Sequence, residues 1–190
     1  MTGTHRIMRV STVHEGWTKL IVATIRLPDG RTITREIEDH GSAICVLPCH
    51  PQRRTAVLVR QLRAPVLYAS GQHETLEAIA GIVEEDDPAQ CARREAEEEA
   101  GLALDTLDRL FTGWTMPGLS TERMHFFLAT YSGEARRARG GAAGEHEDVL
   151  AVEIALTELA RMVDAGQLTD VKTMLLIQSA RLRLPALFAG

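Results

Sequence analysis

The stretch Asp87-Pro88-Ala89-Gln90-Cys91-Ala92-Arg93-Arg94-Glu95-Ala96-Glu97-Glu98-Glu99-Ala100-Gly101 constrains this chain more than any other. Its ends are marked by chemistry. Asp87 carries the side-chain oxygen that an N-cap offers to the orphan N–H groups of a first turn, and Pro88 suits the first helical position. Gly101 supplies the left-handed conformation that commonly ends a helix. A helix running through Ala100 is therefore expected, and its repeat puts Glu95, Glu98 and Glu99 at i, i+3 and i+4 on one face. Like charges repel at that spacing. Glu98 and Glu99 also lie in the last turn, where the helix dipole disfavours carboxylates by roughly 0.3–1 kcal/mol each. Two unit charges about 4 Å apart cost on the order of 4 kcal/mol at an effective dielectric near 20. A solvated acidic face is the plain explanation of such a stretch. Against it stand the crowding at the wrong end of the helix, the abrupt stop at Gly101 and the Gly-containing loop in front, because uncompensated local costs mark functional sites. A hard divalent cation reverses the sign of the repulsion. Magnesium favours carboxylate oxygens, keeps several waters and bridges substrate phosphates, so the segment points to metal-assisted phosphoryl chemistry.

The rest of the chain bounds the answer. Its 190 residues suffice for one domain with a small arm. With 45% hydrophobic and 25% charged residues, disorder and disulfide scaffolds are excluded. The 26 acids outnumber the 21 bases and aromatics make up 4%, so neither a polyanion-attracting field nor a base-stacking platform is present. No nucleic-acid partner is expected. No apolar run approaches a membrane span and the N-terminus has no apolar leader core, so no membrane partner is expected either. The three cysteines, Cys45, Cys49 and Cys91, suit a reducing cytoplasm. Cys45-x3-Cys49-His50 lacks the second half of a zinc site, and Cys45 in the run Ala43–Leu47 reads as a small buried hydrophobe.

Residues 17–27 and 31–39 flank Pro28-Asp29-Gly30 and predict a hairpin. Further strands are expected over 42–47, 55–62, 75–80, 107–114, 123–131 and 148–154. Helices are expected over 156–165 and 170–183, with Met174, Leu175, Ile177 and Leu182 as core residues. The Gly- and Ala-rich loop 132–147, with Arg136, Arg137 and Arg139, reads as a solvated basic loop. This order predicts a compact α/β or α+β sandwich.

The pattern Gly81-(x4)-Asp86-(x7)-Arg94-Glu95-Ala96-x-Glu98-Glu99-x-Gly101-Leu102 resembles the Nudix box, G-x5-E-x7-R-E-U-x-E-E-x-G-U with U aliphatic. The first spacing is one residue short and Asp86 stands where Glu is usual, but the R-E-U-x-E-E core is intact. Ile79-Ala80-Gly81 and Met116-Pro117-Gly118-Leu119-Ser120-Thr121-Glu122 resemble the P-A-G segment and the S-P-G-G-x-[ST]-E loop of nucleoside-diphosphate-sugar pyrophosphatases. The shortened box, His125-Phe126-Phe127, Glu145-His146-Glu147-Asp148 and Lys172-Thr173 are most similar to the bacterial GDP-mannose branch. The resemblance spans about residues 5 to 183.

This resemblance implies an α/β Nudix fold, an α/β/α sandwich with a mixed sheet, over residues 41–190. It implies an N-terminal antiparallel β arm over 1–40 that serves a homodimer. It implies a cytoplasmic enzyme using Mg2+, with Mn2+ as the substitute. The implied metal ligands are Glu95 and Glu99, with Glu98 close by, the backbone carbonyl of Ala80, and Glu147. Glu99, Glu147 and Glu98 are the implied catalytic carboxylates, and His146 stands where the branch often has an acid. Arg94 is implied to brace the carboxylates. The implied substrate contacts are Arg35, Arg63, Glu122, Lys172 and Trp17, the last reaching the partner subunit's site. Arg35 and Arg63 suit a diphosphate because a guanidinium binds two oxygens at once, although each also fits a strand-surface charge. The implied reaction is attack of water on one phosphorus of a diphosphate linkage. The implied substrate is a nucleotide sugar, GDP-mannose first and ADP-ribose second. A Nudix module that binds a nucleotide without cleaving it is the alternative of another class, and the intact acids speak against it.

Overall fold

The computed structural model describes residues 3–84, 87–135, 139–140 and 149–189, the pair 139–140 by its backbone only. The chain divides into two compact units: Met1–Ser42 with Thr112–Met124, and Ala43–Phe111 with His125–Gly190. Among the described residues no helix is long and apolar enough to cross a membrane.

The first unit is built on an antiparallel sheet in the order β1 (Arg6–Glu15), β2 (Lys19–Arg26), β3 (Thr32–Asp39). The expected hairpin is β2–β3. Its turn closes with Leu27 N–H donating to the Arg31 carbonyl at 2.8 Å, and Gly30 takes the positive φ of +87° that the turn demands. The Asp29 carboxylate accepts from both the backbone and Nε of Arg31. The strand β1 falls within the β arm that the resemblance implies over 1–40, but the residue pattern itself places no strand there. Its side chains are exposed on nearly every position and its register slips twice, so no alternation of apolar and polar residues announces it. The Met116–Glu122 loop is stitched to the end of β3. Glu38 N–H donates to the Leu119 carbonyl and Thr121 N–H to the Glu38 carbonyl, both at 2.9 Å. Thr121 Oγ1 accepts from the His40 backbone and donates to Asp39.

The second sheet contains β4 (Ser42–His50), β5 (Thr55–Gln61), β6 (Thr75–Glu77), β7 (Ile79–Val83), β8 (Thr106–Trp114), β9 (Arg123–Thr130), β10 (Arg139–Gly140) and β11 (Val149–Ala155). Its order is β10-β11-β5-β4-β9-β8, with β6 on β5 and β7 on β4. The helices are α1 (Ala64–Ser70), α2 (Pro88–Ala100), α3 (Leu156–Asp164) and α4 (Val171–Arg183). β4 and β5 carry near-continuous apolar runs because they are buried on both faces. The helix α2 meets Ile44, Val46, Val57, Val59 and Ile79 through Cys91, Ala92, Ala96 and Ala100, small side chains that let it lie close to the sheet. Its ends are as the sequence predicts: the Asp87 carboxylate accepts from Ala89 N–H, and Gly101 at φ +62° returns its N–H to the carbonyls of the last turn. The α/β class and the antiparallel N-terminal sheet agree with expectation.

Three expectations need correction. Leu175 and Leu182 are exposed rather than core, and Met174 is only partly covered. Ile177 is buried as expected, but its companions on the buried stripe of α4 are Thr173, Leu176 and Ala180, because the hydroxyl of Thr173 is satisfied inside the fold and takes a core position. The strand 75–80 is two strands. It breaks at Ala78, whose N–H donates to Thr173 Oγ1 at 2.6 Å instead of joining a ladder. Finally, Ala64–Ser70 forms a short helix where none was expected, started by Pro65 and ended by Gly71 at φ +74°.

Candidate active site

The acids of α2 do not share one environment. Arg94 Nη1 lies 3.0 Å from both Glu95 Oε1 and Glu98 Oε2. Glu98 extends into solvent, whereas Glu95 turns inward against the backbone of Gly81. Glu99 keeps part of its surface in solvent, yet its Oε2 is sealed and accepts no hydrogen bond. The Glu99 carboxyl is pushed up to about 8, first by burial and then by the charge of Glu95, against the opposing pull of Arg63 and a hydrogen bond from the Ala80 backbone. A half-satisfied buried carboxylate next to another carboxylate is unfavourable by itself.

A hard divalent cation would relieve this arrangement. Glu95, Glu99 and the Ala80–Gly81 backbone lie together, and the unpartnered Oε2 supplies an oxygen with no competing donor. Among the described residues no three His, Cys, Asp or Glu side chains converge as a ready-made metal cluster. Two carboxylates and a backbone segment nevertheless fit an ion that keeps several waters and takes its remaining oxygens from substrate phosphates. Glu147 lies outside the described residues, as do Asp86 and His146.

A second cluster in the same unit gathers the predicted Arg63 and Lys172. Arg63 donates through Nε and Nη2 to the two oxygens of Glu77 at 2.9 and 3.1 Å, and Lys172 Nζ donates to Glu77 Oε2 at 3.0 Å. Lys172 also donates to Asp170 Oδ1 at 2.7 Å, while Asp170 Oδ2 caps α4 through Thr173 N–H. Burial opposes the charged form of Glu77, but the Arg63 hydrogen bonds, the Lys172 charge and the Thr75 hydroxyl bring its carboxyl down to about 2. Lys172 is likewise held more basic than usual: burial opposes its charge, and Asp170 and Glu77 outweigh that. Sequence reading missed Glu77 and Asp170. The available signal for Glu77 was a single acid in the apolar run Leu76-Glu77-Ala78-Ile79, at the same parity as inward Thr75 and Ile79.

The other predicted contacts lie in the first unit. Glu122 Oε2 stands 3.5 Å from His40 Nδ1, and the indole of Trp17, 83% exposed, meets the His40 ring edge-on at 6.3 Å. Arg35 sits on β3, donates to the Thr34 carbonyl, and lines an open depression of about 290 Å³ with Val22, Thr34 and Glu36. His40, which meets both Trp17 and Glu122, was also missed; nothing in the sequence marks it.

An α/β fold that sets paired helix carboxylates beside an Arg–Glu–Lys cluster describes a class, and the family comparison agrees with it. The NUDIX domain matches residues 39–173, and the chain belongs to the NUDIX family. Among its relatives, the GDP-mannose pyrophosphatase of Pectobacterium atrosepticum is 37% identical over 151 residues, covering 78% of this chain and 77% of the relative. A protein of the same name from Cronobacter sakazakii is 35% identical over 159 residues, covering 82% of each chain. A solved ADP compounds hydrolase shares the fold, with a TM-score of 0.79 over 98% of this chain and 97% of its own at 16% identity.

Proposed function

We propose that this chain is a magnesium-dependent pyrophosphatase that hydrolyses a nucleoside diphosphate sugar, taking GDP-mannose to GMP and mannose 1-phosphate. NUDIX enzymes generally use a divalent metal; magnesium, with manganese as substitute, is the choice for this chain. The observation that carries the reading is the Glu95–Glu99 pair, with its sealed, unpartnered oxygen, in the same unit as the Arg63–Glu77–Lys172 cluster. The names of the relatives supply the substrate.

In this reading Glu95, Glu99 and the Ala80 carbonyl hold magnesium, with Glu98 close by and Glu147 as a further ligand or the base. The bound ion supplies Lewis-acid polarisation of the phosphoryl oxygens and charge neutralisation. Arg63 and Lys172 bind the diphosphate oxygens, and Arg35, Glu122 and Trp17 contact the remainder of the nucleotide sugar. A carboxylate, Glu147 or one of Glu98 and Glu99, takes the proton of the attacking water. The water oxygen bonds to one phosphorus, and the anhydride bond to the other phosphate breaks. Positioning and electrostatics carry most of the acceleration in phosphoryl transfer.

The enzyme acts in the cytoplasm, a reading supported by three free, buried cysteines with no disulfide among them. It acts as a homodimer through the N-terminal sheet, supported by the exposed Ile7, Met8, Val10 and Val13 along β1. Light scattering should return twice the 20.9 kDa chain mass; a monomer at micromolar concentration would refute the dimer.

The substrate is tested by incubating the protein with magnesium and GDP-mannose, ADP-ribose and other nucleotide sugars, then separating products by ion exchange. GMP and mannose 1-phosphate should dominate, vanish with a chelator and return with excess magnesium. Preferential release of AMP from ADP-ribose would overturn the substrate assignment. Tight binding without cleavage would overturn the enzymatic one.

A further inference from the structure

The proposed diphosphate contacts Arg63, the residue that precedes α1, and Lys172, in the first turn of α4, are distant in sequence, and two cations brought together repel. In this fold they meet on Glu77, with Lys172 held from its other side by Asp170 at 2.7 Å. Period-two alternation along β6 turns Thr75 and Glu77 inward. The Glu77 side chain is 3% exposed, against 36% for Arg63 and 22% for Lys172. The carboxylate therefore lies beneath and the cations reach outward from it. Its oxygens are fully used: Oε1 accepts from Arg63 Nε and from Thr75 Oγ1, and Oε2 from Arg63 Nη2 and Lys172 Nζ. The backbone beside it is pinned as well, since Ala78 N–H donates to the hydroxyl of Thr173, next to Lys172.

We infer that Glu77 is the positioning residue of a two-cation clamp for a diphosphate, setting the guanidinium of Arg63 and the ammonium of Lys172 side by side before the anion arrives. The inference rests on the pyrophosphatase reading above. Two arguments separate it from mere stabilisation. A buried ion cluster is a poor source of stability, because apolar residues of similar volume do as well or better. A bidentate hold on a guanidinium also fixes the plane in which its other N–H groups point, which a simple point charge does not do. Preorganised cations lower the cost of ordering that binding would otherwise carry.

The test is a double-mutant cycle of Glu77→Gln and Arg63→Ala, read by calorimetric binding of methylene diphosphonate, an uncleavable diphosphate, with magnesium present. Glu77→Gln should weaken binding about tenfold although it removes a negative charge from an anion site, and in the Arg63→Ala background it should cost little more. With GDP-mannose as substrate, Glu77→Gln should raise KM about tenfold with kcat nearly unchanged, as expected when uniform binding is lost. Independent, additive losses would overturn the clamp, as would unchanged or tighter binding in a folded Glu77→Gln protein. Failure of the wild type to bind methylene diphosphonate would overturn it too. Should Glu77→Gln not fold, Glu77→Asp, which keeps the charge and withdraws the carboxylate, is judged by the same criteria. If the wild type leaves GDP-mannose intact while the diphosphonate cycle shows coupling, the substrate reading falls and the clamp stands.

Discussion

Replacing Glu99 with Gln should lower turnover by orders of magnitude and, without metal, make the protein more stable at alkaline pH. Both effects come from one observation: a carboxylate with a sealed, unpartnered oxygen, pushed up to about 8 by burial and by Glu95. The ordinary value of 4.5 applies to the unfolded chain. Below pH 4.5 the group is protonated in both states and does not oppose folding. As the pH rises from there towards 8, the unfolded chain releases its proton while the folded one retains it, so stability is progressively lost. Above 8 the folded protein carries the unfavourable charge, and the loss levels off at an order of a few kcal/mol. Gln stays neutral throughout. Thermal unfolding of metal-free protein should therefore show wild type and Glu99→Gln together near pH 4.5 and the variant ahead at pH 9. Magnesium should raise the wild-type Tm at pH 9 and leave the variant nearly unmoved. Near-normal turnover in the variant would sink the assignment of Glu99; equal Tm values at pH 9 would sink its electrostatic account.

Gly81→Ala is the second large effect, and it separates activity from stability. A Cβ at Gly81 would stand 2.2 Å from the Glu95 carboxyl carbon and 2.3 Å from Oε1. Those atoms are the far end of a flexible side chain, so the fold can yield by swinging Glu95 away. The φ of Gly81 is not in the positive range, so alanine meets no backbone strain there. Urea unfolding should change by about 1 kcal/mol or less, within the range of a small-to-large change that relieves itself. Magnesium-dependent cleavage should fall at least about a hundredfold, as expected when a metal ligand is displaced. A fully active Gly81→Ala enzyme would show that Glu95 does not need its present place.

Much of this was legible before the structure. The caps of α2, the β2–β3 hairpin and the helices 156–164 and 171–183 are local events, written in Asp87, Gly101, Pro28-Asp29-Gly30 and apolar spacing. The carboxylates of α2 were legible for the same reason. The depth of each was not: helical spacing placed Glu95, Glu98 and Glu99 together and Glu98 one turn from Arg94, but only tertiary packing sends Glu99 inward. Glu77 escaped because its partners Arg63 and Lys172 lie far along the chain; Asp170 carried a local signal, the N-cap of α4 beside Lys172 and Thr173, that was overlooked. The buried face of α4 was read correctly only at Ile177, because Thr173 holds a core position by hydrogen bonding, which a hydrophobic count cannot see. The strand β1 was legible only through the resemblance, because it shows no buried face to betray its period.

The carboxylate of Asp170 divides its two oxygens between different tasks: one holds Lys172, the other begins α4. Anyone redesigning the substrate range of this protein will want to vary Lys172 and its surroundings. Such changes will disturb a helix terminus along with the recognition site, so variants with new preferences will tend to arrive already weakened. A library aimed at that corner is best built on a background stabilised elsewhere, with Asp170 itself left alone.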